Sequence, residues 1–328
     1  MYVVDFHIHS HYSRATSSDM VPEVLSEVAK KKGINLLGTG DILHPLWRRE
    51  LEELLKEERR GIYKYNELEF ILTTEVSLIY SQDRKVRKIH VVLIVPDFET
   101  AGNIAKRLSL YGSIEADGRP TFGLTLPQFI EIVRGVSEEI LFIPAHIWTP
   151  WFSIFGSNSG FDSLEEALGD YVKDIIALET GLSSDPPMNW RVSALDRLTL
   201  LSNSDSHSPW PWRLGREANV FNTSIDYREI IEAIKSRDKS KFLYTIEFYP
   251  QEGKYHYDGH RNCGVSLSPK ESLKLNNICP VCRKPLTIGV MHRVEQLADR
   301  EEGVIPDSAI PFRNLIPLDE IIAEVKGV

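Results

Sequence analysis

Two histidines two residues apart, His7 and His9, close the short apolar run that begins at Val3. On a strand, residues at i and i+2 point to the same side, so the two imidazoles converge on one point. The simplest occupant of such a point is a metal ion. A His-x-His pair is weak by itself, because two core or surface histidines look the same. Repetition strengthens it: apolar runs at 35–41, 70–75, 140–146 and 175–179 end in Asp41, Glu75, His146 and Glu179. A run at 198–204 leads into Asp205-Ser206-His207, and the run at 88–95 carries His90 near its start. Imidazole and carboxylate donors of this kind suit zinc, manganese or magnesium. The chemistry they offer is metal-assisted hydrolysis, in which bound cations acidify a water and orient it for attack.

Ligands scattered from residue 7 to residue 207 meet only if the elements that carry them end together. The seven strand-like runs alternate with stretches of helical character. At 20–32, apolar residues Val21, Val24, Leu25 and Val28 fall on one face, behind Pro22 and ahead of Gly33. Further helices are expected at 46–60, 100–110, 125–134, 163–168, 189–195 and 226–237, the last opened by Asp226 and Glu229 as a capping box. Barrels of alternating strands and helices place catalytic groups at the C-terminal ends of their parallel strands. The expected fold class is therefore α/β, a distorted, TIM-like (β/α)7 barrel over residues 1–246.

The chain has 328 residues, 42% of them hydrophobic, enough for one large domain and a smaller one. Its formal charge of −9 argues against a simple basic nucleic-acid binder, although carboxylates that hold cations inflate that figure. No apolar stretch approaches bilayer length and the N-terminus enters a strand at once, so neither a membrane anchor nor a signal peptide is expected. A cytoplasmic location follows.

After Glu247 the strand–helix rhythm stops. The stretch 247–300 carries His260-x-x-Cys263 and, fifteen residues later, Cys279-Pro280-Val281-Cys282. Two such paired turns present four ligands to one tetrahedral ion, the spacing of a structural zinc ribbon. Three cysteines confined to this stretch suit a reducing compartment. His256 is a rival fourth ligand; His260 is preferred because its spacing mirrors the second knuckle. Lys254, Arg261, Lys270, Lys274, Arg283, Lys284 and Arg293 make the module locally basic, as a phosphate-backbone contact surface would be. The remaining 301–328 is expected to be a C-terminal segment with a helix from Leu318, and a truncation there stays open. Two loops, 147–156 and 208–216, are rich in aromatics and follow strand-end ligands directly. They belong at the mouth of the site, where stacking on a planar substrate competes with core packing as their role.

The ordered ligand set resembles that of the PHP superfamily of metal-dependent phosphoesterases, whose members build a distorted (β/α) barrel around two or three ions. His7 and His9 match its first motif, Glu75 its bridging glutamate, His90 and His146 its next histidines, and Asp205 and His207 its closing Asp-x-His. The resemblance spans about residues 1–245. It implies one ion held by His7, His9, Glu75 and Asp205 and another by Glu75, His90 and His146, with Glu75, Asp205 and His207 as catalytic residues. Gly40-Asp41-Ile42 departs from the Thr-Asp-His of many relatives, and Arg14 stands near the place of another third-site histidine. A third ion would need Asp41, His11, His44 and Glu179 to rebuild its site.

Combined with the ribbon, the runs 145–152 and 279–286 resemble the endonuclease Q family of DNA repair nucleases. That family nicks DNA on the 5′ side of deaminated bases and of abasic sites, which implies damaged DNA as partner and nucleoid association. A base inside a duplex cannot reach a barrel floor, so the nucleotide would be flipped. Tyr12, Ser13, Trp151 and Phe155 are the candidate pocket, and His207 is a candidate to complete a metal site or to donate a hydrogen bond to the phosphate or leaving oxygen. Two other readings share features with this one. A histidinol-phosphate-like phosphatase would use the same metals but needs no ribbon, and a non-catalytic DNA-binding module would tolerate loss of the barrel ligands. No motif for a protein partner such as a sliding clamp is legible.

Overall fold

Strands buried on both faces read as near-continuous apolar runs, and such runs form the middle of this fold. The computed structural model describes residues 1–327; Val328, the last residue of the expected C-terminal segment, lies outside the described residues. The strands follow in chain order: β1 (Tyr2–Asp5), β2 (Leu36–Gly38), β3 (Lys56–Arg59), β4 (Ile62–Tyr65), β5 (Leu68–Gln82), β6 (Lys85–Val95), β7 (Thr121–Phe122) and β8 (Leu141–Pro144). After them come β9 (Ala177–Glu179), β10 (Thr199–Leu201), β11 (Ala218–Phe221), β12 (Phe242–Glu247), β13 (Asp258–His260), β14 (Val265–Leu267) and β15 (Phe312–Asn314). The result is a mixed α/β fold around a central sheet. Its main path runs β15-β12-β11-β1-β2-β5-β4-β3, with β6 and β7 also paired to β5 and β8 paired to β6. The parallel pair β9 and β10 lies beside β8.

The seven expected strands are all present, but not all are parallel. β1, β2 and β5 run parallel to one another, whereas β6 turns back antiparallel to β5 and β8 runs antiparallel to β6. The reversal is local. Asp83 and Arg84 both take positive φ, 50° and 61°, the backbone of a two-residue turn whose twist matches an antiparallel hairpin. β1 is likewise flanked on its other side by antiparallel β11. The 46–60 helix ends early: it spans Pro45–Leu54 and gives way to β3 and β4, a hairpin on the sheet edge. The 189–195 helix is replaced by two short turns, Pro186–Asn189 and Ser193–Leu195.

The other helices lie where their spacing places them and cover the sheet. Pro22–Lys32 buries Leu25, Val28 and Ala29 and stops at Gly33, whose φ of 79° ends the helix as only an achiral residue does at low cost. Asp226 caps Tyr227–Ser236 by accepting from Arg228 N and Glu229 N, but its own N–H donates to Ser224 O, so the reciprocal half of the capping box is not made. Beyond β12 the chain leaves the sheet for the β13–β14 hairpin and the cysteine turns, then returns with β15 as a parallel edge strand on β12. A final helix, Leu318–Lys326, carries Leu318, Ile321, Ile322 and Val325 exposed. No helix among the described residues is long and apolar enough to cross a membrane.

Candidate metal centre

His7 and His9 follow β1, and both side chains are fully buried. Glu75 is an interior residue of the long β5, also buried, and its carboxylate lies between two groups of donors. On one side are His7, His9 and Asp205, on the other His90 and His146, and the donor atoms within each group lie within 4.8 Å of one another. Glu75 Oε1 is 2.7 Å from His90 Nδ1, 3.2 Å from His146 Nε2 and 3.7 Å from His7 Nε2. Its Oε2 is 3.4 Å from His9 Nε2. Asp205 Oδ1 is 3.1 Å from His9 Nε2 and 3.5 Å from His7 Nε2.

These donors fit divalent cations. His7 Nε2 is buried and has no hydrogen-bond partner, yet it faces two carboxylates, an arrangement that costs free energy unless a cation satisfies the lone pair. Burial alone would push the His7 imidazole down, but Glu179, Asp205 and Glu75 outweigh it and hold it well above the usual histidine range. Burial likewise acts against Glu75, and His90, Arg119 and His7 overcome it to hold the carboxyl well below its usual range. The cage therefore attracts positive charge. His90 goes the other way: burial pushes it down to about 4 against the pull of the Glu75 carboxylate.

Two expected ligands stand behind the cage. Glu179 Oε2 accepts from His7 Nδ1 at 2.9 Å, and Asp41 Oδ1 accepts from His9 Nδ1 at 3.2 Å. Each carboxylate fixes the tautomer that turns Nε2 inward, the usual outer support of a metal-bound histidine. Asp41 is itself held by Ser10 N and Ser10 Oγ at 2.7 Å and by Ser13 Oγ at 2.8 Å. With all three donating to Oδ2, an amide cannot replace the carboxylate without presenting N–H to N–H. Asp41→Asn should therefore lower metal affinity and turnover by about 10- to 100-fold, checked by metal titration of the purified variant.

His207 is not brought into either donor group. Its Nδ1 donates to the Asp205 carbonyl at 2.9 Å. A carbonyl can only accept, so Nε2 carries the lone pair, and of the two roles expected of the ring this geometry suits a base or a further ligand rather than a hydrogen-bond donor. His11 and His44 also stay out of the donor groups. They pack with Tyr12, whose ring stacks on His44 at 4.3 Å and whose hydroxyl donates to Glu50 at 2.5 Å.

Three of the site's residues bend the backbone to aim their side chains: Asp41, His146 and Asp205 take φ of 51°, 30° and 48°. Non-glycine residues visit this region rarely and at a cost. Beside them Gly118 makes room, since a Cβ there would lie 2.3 Å from Asp41 Oδ2. Its neighbour Arg119 is a cage residue that sequence reasoning missed, as is Thr149, whose Oγ1 lies 3.0 Å from His146 Nδ1. Arg119 Nη1 donates to Glu75 Oε2 at 3.0 Å.

Above the cage is a cavity of about 500 Å³, reached by Arg119, Arg213, Arg216 and Lys254 and walled in part by Trp151 and Tyr255. Of the four residues expected to form a base pocket, only Trp151 lines it. Phe155 is 2% exposed and packs on Trp148 at 4.8 Å, because the 147–156 loop folds back into the core. Ser13 is spent on Asp41, and Tyr12 on His44 and Glu50.

The cysteine module closes in the same way. His260, Cys263, Cys279 and Cys282 form a third donor group, with Cys282 Sγ 3.4 Å from His260 Nδ1. The rival, His256, is buried elsewhere and bonds the Ser183 carbonyl at 3.1 Å.

No family model matches the chain. It is 31% identical to the uncharacterized protein YqxK of Bacillus subtilis strain 168, over 86% of this chain and 71% of that protein. Against the solved lesion-specific endonuclease PfuEndoQ of Pyrococcus furiosus it is 38% identical, covering 99% of this chain and 78% of that one, with a TM-score of 0.87. The chain belongs to the endonuclease Q family. A second solved endonuclease Q, in complex with a 27-mer duplex carrying an abasic lesion at the active site, matches at 37% identity and a TM-score of 0.89, over 99% of this chain and 79% of that one. As an endonuclease Q relative the chain is a hydrolase of the DNA endonuclease class, and its buried His/Glu/Asp groups suit the divalent metals such hydrolysis uses.

Proposed function

We propose that this chain is a metal-dependent DNA repair endonuclease that hydrolyses the phosphodiester 5′ to a deaminated base (hypoxanthine, uracil or xanthine) or an abasic site. The observation that carries the reading is the sharing of Glu75 between two donor groups at the floor of a cavity lined by four cationic side chains. Two ions would be held by His7, His9, Glu75 and Asp205 and by Glu75, His90 and His146. When bound they supply Lewis acidity and a water of lowered pKa.

The chain's own residues do the rest. Glu75 ties the two groups together and anchors Arg119, which faces the cavity where a phosphate would enter. Guanidinium is suited to that oxygen geometry and stays charged throughout. Arg213 and Lys254 extend the positive wall along a nucleic-acid backbone, while Arg216, which also lines the cavity, is paired with Glu320 at 2.6 Å. His207, lone pair outward, would accept a proton or complete a further ligand set beside Asp205. Trp151, 38% exposed at the cavity wall, is placed to stack on the flipped nucleotide. Flipping costs least at a mismatched or abasic position, which gives selectivity before any base edge is read.

In this reading residues 1–246 close into the distorted PHP-type barrel, 247–300 form a zinc ribbon with one structural zinc, and 301–328 form the C-terminal segment. The parallel β1-β2-β5 pairs and the β9–β10 pair beside β8 support the closure. The two cysteine turns, one at the β13–β14 hairpin and one between the Ile278–Pro285 bridge, support the ribbon.

The test is cleavage of an end-labelled duplex with a single deoxyinosine or abasic site, with Mg²⁺, Mn²⁺ or Zn²⁺ added. A metal-dependent nick on the 5′ side, leaving a 3′-hydroxyl and lost in Asp205→Ala, is expected. Turnover of phosphomonoesters with no DNA cleavage would replace the reading with a phosphatase.

A further inference from the structure

Six tryptophans occur in the chain, and their burial divides them sharply. Trp47, Trp148 and Trp190 are buried in the core, while Trp151, Trp210 and Trp212 are exposed. The exposed three all sit in the two loops that follow site residues, after His146 and after His207. Trp151 lines the cavity already described. Trp210 and Trp212 do not, and nothing in the reaction uses them.

The loop that carries this pair is held firmly. Lys32 Nζ reaches from the first helix to donate to the carbonyls of Pro211 and Leu214, the latter at 2.6 Å. Gly215 N donates to the buried Asp5 at 3.0 Å, and Asp5 also accepts from Ser204, one residue before the ligand Asp205. Arg213 N and Leu214 N both close onto Trp210 O, at 2.8 and 3.0 Å. On this anchored turn the two indoles lie 6.0 Å apart and within 19° of parallel, 41% and 40% exposed. Exposed tryptophans on a mobile loop would be unremarked surface; a parallel pair on a clamped loop beside the site is a preformed planar surface. Next to it, the exposed Arg213 lines the same cavity as Arg119 and Lys254, while Arg216, which also lines it, is paired with Glu320 at 2.6 Å.

We propose that Trp210 and Trp212 form a second stacking platform, one that receives an unstacked nucleobase of the duplex next to the flipped nucleotide. The inference rests on the nuclease reading above. Flipping breaks two base-stacking contacts, and a rigid aromatic face with cations at its edge offers the exposed base a replacement without reading its sequence. An apolar protein partner would be served by the indoles but not by the exposed Arg213 beside them or by the cavity cations Arg119 and Lys254, which favour the polyanion.

The experiment uses the full chain and a duplex with a single abasic site, with 2-aminopurine placed in turn at the bases flanking the lesion and opposite it. Binding by the wild type should quench one of these positions. In the Trp210→Ala/Trp212→Ala double variant that quench should vanish and the Kd for the duplex should rise about tenfold to a hundredfold. Phenylalanine at both positions should recover most of the loss, which a purely electrostatic or protein-docking role would not predict. Because both indoles are exposed, the variant should melt as the wild type does. Unchanged Kd and unchanged quench in the alanine variant, with a wild type that nicks the same duplex, would overturn the platform alone. A wild type that neither binds nor nicks the duplex would overturn the nuclease reading and the platform with it.

Discussion

Glu75→Gln should silence nicking by at least about a thousandfold while leaving the duplex affinity close to that of the wild type. The carboxylate is the only group shared by both donor sets, so one isosteric change removes a charge that each cation would need. Losing roughly 4 kcal/mol of cation-mediated stabilisation in the transition state corresponds to three powers of ten in rate. The substitution also leaves Arg119 facing a neutral amide instead of the carboxylate it bonds at 3.0 Å, which frees it to drift from the phosphate. The measurement is paired: bound metal per chain by elemental analysis, and nicking rate under saturating protein. A variant that keeps two ions and turns over at a tenth of the wild-type rate would remove Glu75 from its bridging role.

Cys279→Ser should act on the opposite half of the problem. Cys279 is fully buried. Burial pushes its thiol up, but the N–H groups of Cys282 and Val281 outweigh that and hold it below the usual range, the condition of a ready thiolate ligand. Without it the module keeps three donors, too few to close a structural zinc site, and binding and folding are coupled in such modules. The β13–β14 hairpin should then melt and take with it Lys254 and Tyr255, which wall the cavity. On the proposed zinc-ribbon reading we expect one tightly bound zinc in the wild type, its loss in the variant, and at least about a tenfold weaker duplex affinity, with a flatter salt dependence as phosphate contacts disappear. Zinc retained at one per chain would refute the four-ligand assignment. The two variants thus separate: one binds and does not cut, the other fails to hold the duplex.

Much of this site is legible along the chain because the donors are imidazoles and carboxylates at the ends of apolar runs, a pattern that secondary structure alone repeats. His7, His9, Glu75, His90, His146 and Asp205 all come together. Position in the shell is not legible. Asp41 and Glu179 carry the same strand-end signature as Asp205, and only geometry shows that they face the outer nitrogens of His9 and His7. Arg119 carries no signature, since it lies in a loop before the two-residue strand β7 and reaches Glu75 across space. Strand direction was hidden for a related reason: an apolar run looks the same whichever way it points, and the β5–β6 reversal rests on two residues, Asp83 and Arg84. The aromatic loop 147–156 divides its own residues, Trp148, Ile154 and Phe155 inward and Trp151 outward, a choice that composition does not encode.

The left-handed backbone at Asp41, His146 and Asp205 has a consequence for how such a protein changes over generations. At each of these positions glycine would relax the backbone, and relief of such strain is worth on the order of 1 kcal/mol apiece. Selection for heat tolerance alone therefore pushes these three positions away from the residues that chemistry requires. A thermostability screen that does not also demand cleavage should recover inactive chains altered at the aiming residues, and sturdier active variants should carry their gains elsewhere in the fold.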